Sequence, residues 1–129
     1  MTKIYQHRPA APDDLLGRID QKTGKVYATR FGPDKFIGRV DLKSGKVYQT
    51  RFGPDDYIGR IDLDTGKVYR QRIGLDEYIG RVESNGKIYR HVQLGFDEYL
   101  GKVTDTNSLV GGGAALLLFF MKGEEDLNL

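Results

Sequence analysis

Residue types that support nucleophilic or acid–base catalysis are few in this chain, and they lie far apart. The histidines are His7 and His91, and the serines are Ser44, Ser84 and Ser108. Nucleophilic catalysis needs a nucleophile beside a base that a third group orients, and these positions suggest no such grouping. The chain has no cysteine, which excludes thiolate chemistry and disulfide bonds. We therefore expect no catalytic residue and no enzymatic activity, and we interpret His91 as a packed, hydrogen-bonded side chain.

One acidic segment has some likeness to a calcium-binding loop. It runs from Asp62 to Gly66 with the sequence Asp-Leu-Asp-Thr-Gly. A calcium loop places glycine at its sixth position and a bidentate glutamate at its twelfth, and neither follows here. The segment is therefore interpreted as a plain turn, and the sequence predicts no metal site and no cofactor.

Tyrosine recurs at the same point of five Lys-Val/Ile-Tyr segments and would form a column of rings. The column consists of Tyr5, Tyr27, Tyr48, Tyr69 and Tyr89. Aromatic rings that are open to solvent on one side can stack on sugars or on a peptide. We expect the rings to pack in the core, and a ligand face formed by the last four tyrosines is the alternative.

A second column carries charges of alternating sign. Its cations are Arg18, Arg39, Arg60, Arg81 and Lys102, and acidic residues two positions later are Asp20, Asp41, Asp62 and Glu83. Opposite charges at this spacing are typical of solvated cross-strand pairs rather than of a track for phosphates. The chain has 20 Lys and Arg against 18 Asp and Glu, a net charge of +2, so we expect no nucleic-acid partner.

Both columns arise from an internal repeat, which also determines the elements that carry them. The glycine of a Leu/Ile-Gly-Arg/Lys step recurs every 21 residues, at Gly17, Gly38, Gly59, Gly80 and Gly101. A period near 20 indicates a repeat architecture. Within each unit, β-branched and aromatic runs alternate with turn-forming clusters, which predicts about ten short antiparallel strands between Lys3 and Thr104 and no long helix there.

Turn chemistry sets the expected register within each hairpin. The Asp-x-x-Thr/Ser-Gly-Lys turn fits a three-residue loop with a left-handed glycine, and the shorter Asn-Gly turn of the fourth repeat fits a two-residue loop. Both place valine opposite tyrosine, as in a pair of Val40 with Tyr48. Period-2 alternation then puts the tyrosines, the repeat glycines, Phe52 and Ile73 on one apolar face. The glycines would therefore lie under tyrosine rings.

The first and last strands of the repeat region are of complementary types. The chain begins with a Lys-Ile-Tyr strand, and its repeats end with Leu100-Gly101-Lys102-Val103. These two strands can pair with each other and close a ring, or pair only with their neighbours in an open stack. We expect the open stack, because two strands per 21 residues is half of a usual propeller blade. The predicted fold class is all-β, with tandem 21-residue hairpins stacked as an open solenoid or meander and a short C-terminal apolar helix.

Short motifs of the repeats and of the tail resemble a group of small bacterial proteins built from tandem β-hairpin repeats. The motifs are Ile-Gly-Arg-Val-Asp, Ser/Thr-Gly-Lys-Val-Tyr and, in the tail, Gly-Gly-Gly-Ala-Ala-Leu-Leu-Leu. The resemblance covers most of the repeat region and the tail. It implies a stack of hairpins as the fold and brings no particular activity.

The C-terminal tail differs in kind from the repeats. From Leu109 to Met121 no residue has a polar side chain, and an acidic end follows. As a helix this stretch is about 20 Å long at 1.5 Å per residue, which is too short for a bilayer core of about 30 Å. A helix that is apolar all round is not stable free in water. The glycines at 111–113 provide a flexible start or allow close approach between helices.

Three roles for the tail remain open at this stage. It caps the last hairpin, it contacts a second copy or another protein, or it attaches to a membrane without spanning it. The side chains expected to make the contact are Leu109, Val110, Leu116, Leu117, Leu118, Phe119 and Phe120.

The sequence thus predicts a β-hairpin repeat domain over 1–107 and an apolar tail with an acidic end over 108–129. We expect a non-enzymatic structural or interaction module that self-associates or docks through the tail. The alternative is a glycan- or peptide-binding module that uses the tyrosine column. The first residues lack the apolar core of a secretory signal, so we expect a cytoplasmic location, with membrane contact by the tail left open.

Overall fold

Ten antiparallel strands and one C-terminal helix form the protein in the computed structural model, which describes residues 1–104 and 108–121. The strands are β1 (Thr2–Gln6), β2 (Asp14–Ile19), β3 (Lys25–Ala28), β4 (Lys35–Val40), β5 (Lys46–Gln49), β6 (Asp56–Ile61), β7 (Lys67–Arg70), β8 (Glu77–Val82), β9 (Lys87–Arg90) and β10 (Glu98–Val103). Helix α1 covers Ser108–Ala115 and continues as a π-helix over Leu116–Phe120. We call these two segments together the core helix. The predicted strands and the short C-terminal helix are confirmed.

The sheet closes into a barrel, with each strand beside its sequence neighbours and β1 beside β10. Across the closure Tyr5 pairs with Lys102, in the same register that pairs Tyr27 with Arg18 in the first hairpin. The first and last strands therefore complete a fifth hairpin unit. The open stack that we expected is wrong, because the two complementary end strands pair and leave the sheet without an edge.

The loop of each Asp-x-x-Thr/Ser-Gly-Lys turn is one residue longer than predicted. The Asp41 backbone N–H donates to the Lys46 carbonyl at 2.8 Å, so four residues rather than three lie in the loop. Val40 consequently pairs with Val47 instead of Tyr48. A shift of one residue turns a strand over. The valines of the short strands therefore line the lumen, and their tyrosines lie on the outer wall.

The lumen of the barrel is filled by the core helix. Eight strands already enclose enough space for side chains alone, and ten strands leave room for a helix about 10 Å across. Besides the repeat glycines, ten β-branched residues of the wall face the core helix, and none of these ten is more than 3% exposed. They are Ile4, Ile19, Val26, Val40, Val47, Ile61, Val68, Val82, Ile88 and Val103.

Small residues of the core helix face large residues of the wall, and large ones face glycines. A Cβ atom at Gly113 would lie 2.6 Å from Ile61 Cβ, and one at Gly112 would collide with Val82. The glycines therefore let the helix pass the most crowded layer of the barrel. One turn further on, Leu117 fills the space above Gly59, where a Cβ atom would lie 2.9 Å from Leu117 Cδ2.

Four consecutive residues of the core helix contact four consecutive repeats. Leu116 lies at Gly80, Leu117 at Gly59, Leu118 at Gly38 and Phe119 at Gly17. Neighbouring repeats are one fifth of a turn apart, whereas an α-helix advances about 100° per residue. The π-helix has a wider turn and so a smaller step per residue, and its bond from Met121 N–H to Leu116 O is 3.0 Å. The π-helical segment thus brings the helix closer to the period of the wall.

Candidate interaction surfaces

The tail side chains that the sequence assigned to docking lie inside the barrel. Exposure is 8% at Val110, 0% at Leu116, 5% at Leu117 and 3% at Leu118. Leu109, Phe119 and Phe120 are half-buried against the same core. Docking through these side chains would require the core helix to leave the barrel. Within residues 1–104 and 108–121, no helix is long and apolar enough to cross a bilayer.

The tyrosine column lies half-buried on the outer wall. Each ring has a cation over one face, as where Arg39 Cζ is 4.0 Å from the centroid of Tyr48. A second ring packs beside most of them, such as Tyr57 at 5.7 Å from Tyr48. Burial raises the pKa of Tyr57. Sequence reasoning placed these tyrosines on the apolar inner face, which is wrong because of the register shift.

The cations that cover the tyrosines also hold carboxylates from the following loop. Arg39 Nε lies 3.0 Å from Asp55 Oδ2, and the same pair recurs in Arg18–Asp34, Arg60–Asp76 and Arg81–Asp97 at 2.9 to 3.3 Å. Lys102 and Asp13 form the fifth pair at 4.0 Å. The predicted partners are wrong for most of the column, because these aspartates come from the loop 16 residues later, while Asp20, Asp41 and Asp62 accept backbone N–H groups of their own turns. Arg81 additionally contacts its predicted neighbour Glu83 at 2.8 Å.

The histidine and calcium-like motifs take part in local structure. His91 lies on the outer wall, with its ring 4.8 Å from Tyr78 and its Nδ1 3.3 Å from Asp97 Oδ1. It is hydrogen-bonded as expected, but it is not packed in the core, since its side chain is 42% exposed. Asp62 Oδ1 accepts the backbone N–H of Asp64 at 2.9 Å, which is the geometry of a plain turn.

A buried arginine distinguishes the third repeat. Arg70 is 5% exposed, and its Nη2 donates to Glu77 Oε1 at 2.7 Å. Its hydrogen bond lowers the pKa of Glu77 below the usual value of 4.5. The other terminal nitrogen, Nη1, has no hydrogen-bond partner among the described residues. The arginine therefore depends on a single carboxylate.

Replacing Glu77 with glutamine is expected to destabilise the protein by about 1 to 2 kcal/mol, because it leaves a buried guanidinium without a counter-charge. The pKa of Glu77 is lower in the folded state than in the unfolded chain. Its contribution is therefore complete above the unfolded pKa and is lost as the pH falls through the folded pKa. Urea unfolding from neutral to acidic pH should accordingly show a shallower acid loss for Glu77→Gln than for the wild type.

Asp56 provides the matched control, because it occupies the place of Glu77 in the previous repeat, where Gln49 replaces the arginine. Its partner Arg51 is 60% exposed. Asp56→Asn should change the free energy of unfolding by less than about 0.5 kcal/mol. Equal effects of the two variants would mean that the buried arginine does not need its carboxylate.

One rim of the barrel carries a ring of exposed apolar side chains, which we call the loop crown. They lie on the loops that follow β3, β5, β7 and β9, and each is at least 84% exposed. The members are Phe31, Phe52, Ile73, Leu75, Leu94 and Phe96. The sequence interpretation placed Phe52 and Ile73 on the buried face, which is wrong because the strands end before them.

The crown loops also have a characteristic distribution of charge. Each of the first three carries an exposed arginine directly before its apolar residue, at Arg30, Arg51 and Arg72. The aspartates that follow are withdrawn into the wall pairs, and Asp55, for example, is 28% exposed against 60% for Arg51. Arg51 and Arg72 also pair with Asp56 at 3.2 Å and with Glu77 at 2.9 Å. The rim therefore combines exposed apolar tips with half-exposed ion pairs whose arginines lie next to those tips.

Sequence reasoning missed the loop crown, although a signal for it exists. The Gly-Pro-Asp turns at 32–34 and 53–55 have the residue types of ordinary connectors between strands. An apolar residue stands directly before the turn glycine in four successive repeats, at 31, 52, 73 and 94. Turns of this kind lie on the surface, because their backbone polar groups need water. An apolar residue that recurs there therefore does not belong to the core. Comparisons with protein-family models, curated proteins and solved structures found no match to this chain.

Proposed function

We propose that the protein is a non-enzymatic interaction module, a closed barrel that presents its loop crown to a partner. The observation that carries this proposal is the complete exposure of Phe31 and Phe52, at 107% and 111%. Grouped apolar side chains on the surface of a protein mark interaction sites. A cytoplasmic location stays a prediction from the sequence.

The fold does not require phenylalanine at these two positions. The loop conformation depends on the positive φ of Gly32 and Gly53, at 92° and 104°, and on the prolines that follow them. A serine in place of either phenylalanine would satisfy the same turn. Their exposure is therefore better explained by a contact outside the chain than by stability.

The crown is a better docking element than the core helix. Burial of the helix completes the hydrophobic core of the barrel, so its release would expose both the helix and the wall around it. The crown side chains are accessible without any rearrangement. Docking or self-association through the tail remains a proposal that requires this release.

A second candidate is binding of a glycan or peptide by the tyrosine column. It is supported by the position of the rings on the outer wall, where pairs such as Tyr69 and Tyr78 lie 5.9 Å apart. One face of Tyr69 is already covered by Arg60 at 4.4 Å. A ligand would have to displace this guanidinium or use the ring edges, which favours the crown.

A photoreactive phenylalanine analogue introduced singly at positions 31, 57 and 43 tests the proposal in cells that produce the protein. Position 31 lies in the crown, 57 on the outer wall and 43 in a turn on the opposite rim. We expect irradiation to form adducts mainly from position 31. Dominant adducts from 57 would favour the second candidate, and equal yields from 31 and 43 would contradict the interaction proposal.

A further inference from the structure

We infer that the loop crown docks on the headgroup region of a phospholipid bilayer. The inference rests on the proposed function and names the partner of the crown. It differs from attachment by the tail, because the core helix stays inside the barrel and the contacts come from loops.

The spacing of the crown favours a fluid surface over a folded partner. Neighbouring crown loops are two strands apart, which is about 10 Å at 4.8 Å per strand. Turn residues lie between the apolar side chains. The space around Gly53, for example, is open, because a Cβ atom added there would have no neighbour within 4 Å. A protein interface needs a continuous, closely packed centre. Lipid can fill the space around each separate side chain, as it does around the apolar anchors of interfacial proteins.

The charges of the crown fit phosphate groups. The arginines at 30, 51 and 72 are exposed beside the apolar tips, and Arg51 and Arg72 lie within ion-pair distance of the half-exposed Asp56 and Glu77. Their long side chains can exchange these carboxylates for phosphate groups at the headgroup level while the apolar groups enter the bilayer. A two-fold dimer through this rim would bring the same cations of two copies together, which is unfavourable. The charge pattern therefore disfavours a second copy as the occupant.

The closed barrel lets several weak contacts act together. Every crown loop connects a short strand to the next long strand, so all of them lie on the same rim of the ring. A plane can meet several tips at once, and a second contact made by a tethered tip costs little. The loop after β1 adds only Ala10 at the corresponding position, so the apolar contact is concentrated on four of the five loops.

Binding of the full chain to vesicles of phosphatidylcholine with a minor fraction of phosphatidylglycerol tests the inference. We expect co-sedimentation of the wild type and a loss of about tenfold in partition coefficient for each of Phe31→Ser and Phe52→Ser. Arg51→Gln should weaken binding further at low salt. The control Leu15→Ser removes an apolar side chain of the outer wall, 43% exposed, and should bind like the wild type.

Tryptophan provides a second readout, because the chain has none of its own. The emission of Phe52→Trp should shift to the blue and be quenched by brominated lipid, whereas that of Leu15→Trp should not change. Wild-type protein that does not bind, phenylalanine variants that bind as well as the wild type, or equal quenching at 15 and 52 would each overturn the inference. Thermal unfolding of the serine variants should match the wild type, since the replaced side chains are fully exposed.

The two experiments separate failure of this inference from failure of the proposed function. Protein adducts from position 31 in cells, combined with no binding to vesicles, would keep the interaction module and replace the membrane by a protein partner. Absence of adducts at 31 together with absence of vesicle binding would contradict both.

Discussion

Replacing Leu117 with aspartate is expected to unfold the whole barrel rather than only to release the core helix. Leu117 is 5% exposed and belongs to the hydrophobic core cluster. Loss of a buried leucine costs about 2 to 5 kcal/mol, and an unpaired carboxylate in an apolar lumen adds several more. Domains of this size have a total stability of about 5 to 15 kcal/mol. Far-ultraviolet circular dichroism and urea unfolding measure the loss.

Leu94→Asp is the control for this substitution, because the same change occurs at a side chain that is 102% exposed. Its free energy of unfolding should stay within about 0.5 kcal/mol of the wild type. A Leu117→Asp protein that keeps its strand signal and a cooperative transition would show that the barrel is stable with its helix displaced. Docking by a released tail would then become the better proposal.

Replacing Gly59 with valine is expected to destabilise the protein by at least about 3 kcal/mol. A Cβ atom at this position would collide with the carbonyl oxygen of Tyr69 and would lie 2.9 Å from Leu117 Cδ2. The carbonyl is part of the pairing between β6 and β7, so it cannot move without loss of hydrogen bonds in the sheet. Chemical denaturation of the variant measures the effect.

Two further variants identify the cause. Gly95→Val places its Cβ only against Val92 Cγ1 at 3.4 Å, so its cost should be less than about 1 kcal/mol. The double variant Gly59→Val with Leu117→Ala should remain unstable, because shortening the leucine does not move the Tyr69 carbonyl. Recovery of stability in the double variant would place the obstacle in the side chain instead.

The strands and turns could be predicted from the sequence because their signals are local. The 21-residue period, the β-branched runs and the turn glycines each indicate structure within one repeat, and Gly45 and Gly66 have the left-handed φ that their turns require. Destabilisation by a side chain at Gly59 was also predictable. The reason was not, since the space above Gly59 belongs to Leu117 and not to a tyrosine ring.

The strand register and the closure of the barrel could not be predicted from a single repeat. A loop of three residues and a loop of four suit the same turn residues, and the choice decides whether Tyr48 or Val47 faces inward. The contents of the lumen decide that choice, because Val47 leaves room for a helix and a ring would not. Sequence reasoning assigned the docking residues to the tail because no element of the repeats showed where its thirteen apolar residues could be buried.

The match between the core helix and five hairpins restricts how the gene can change. Tandem repeats can gain and lose units by unequal recombination, and a solenoid tolerates such changes because each repeat contacts only its neighbours. In this barrel the number of strands sets the diameter of the lumen. A copy with one hairpin fewer would have no room for the helix, and a copy with one more would leave a gap around it. The packing that fixes the residues of the core therefore also fixes the number of repeats.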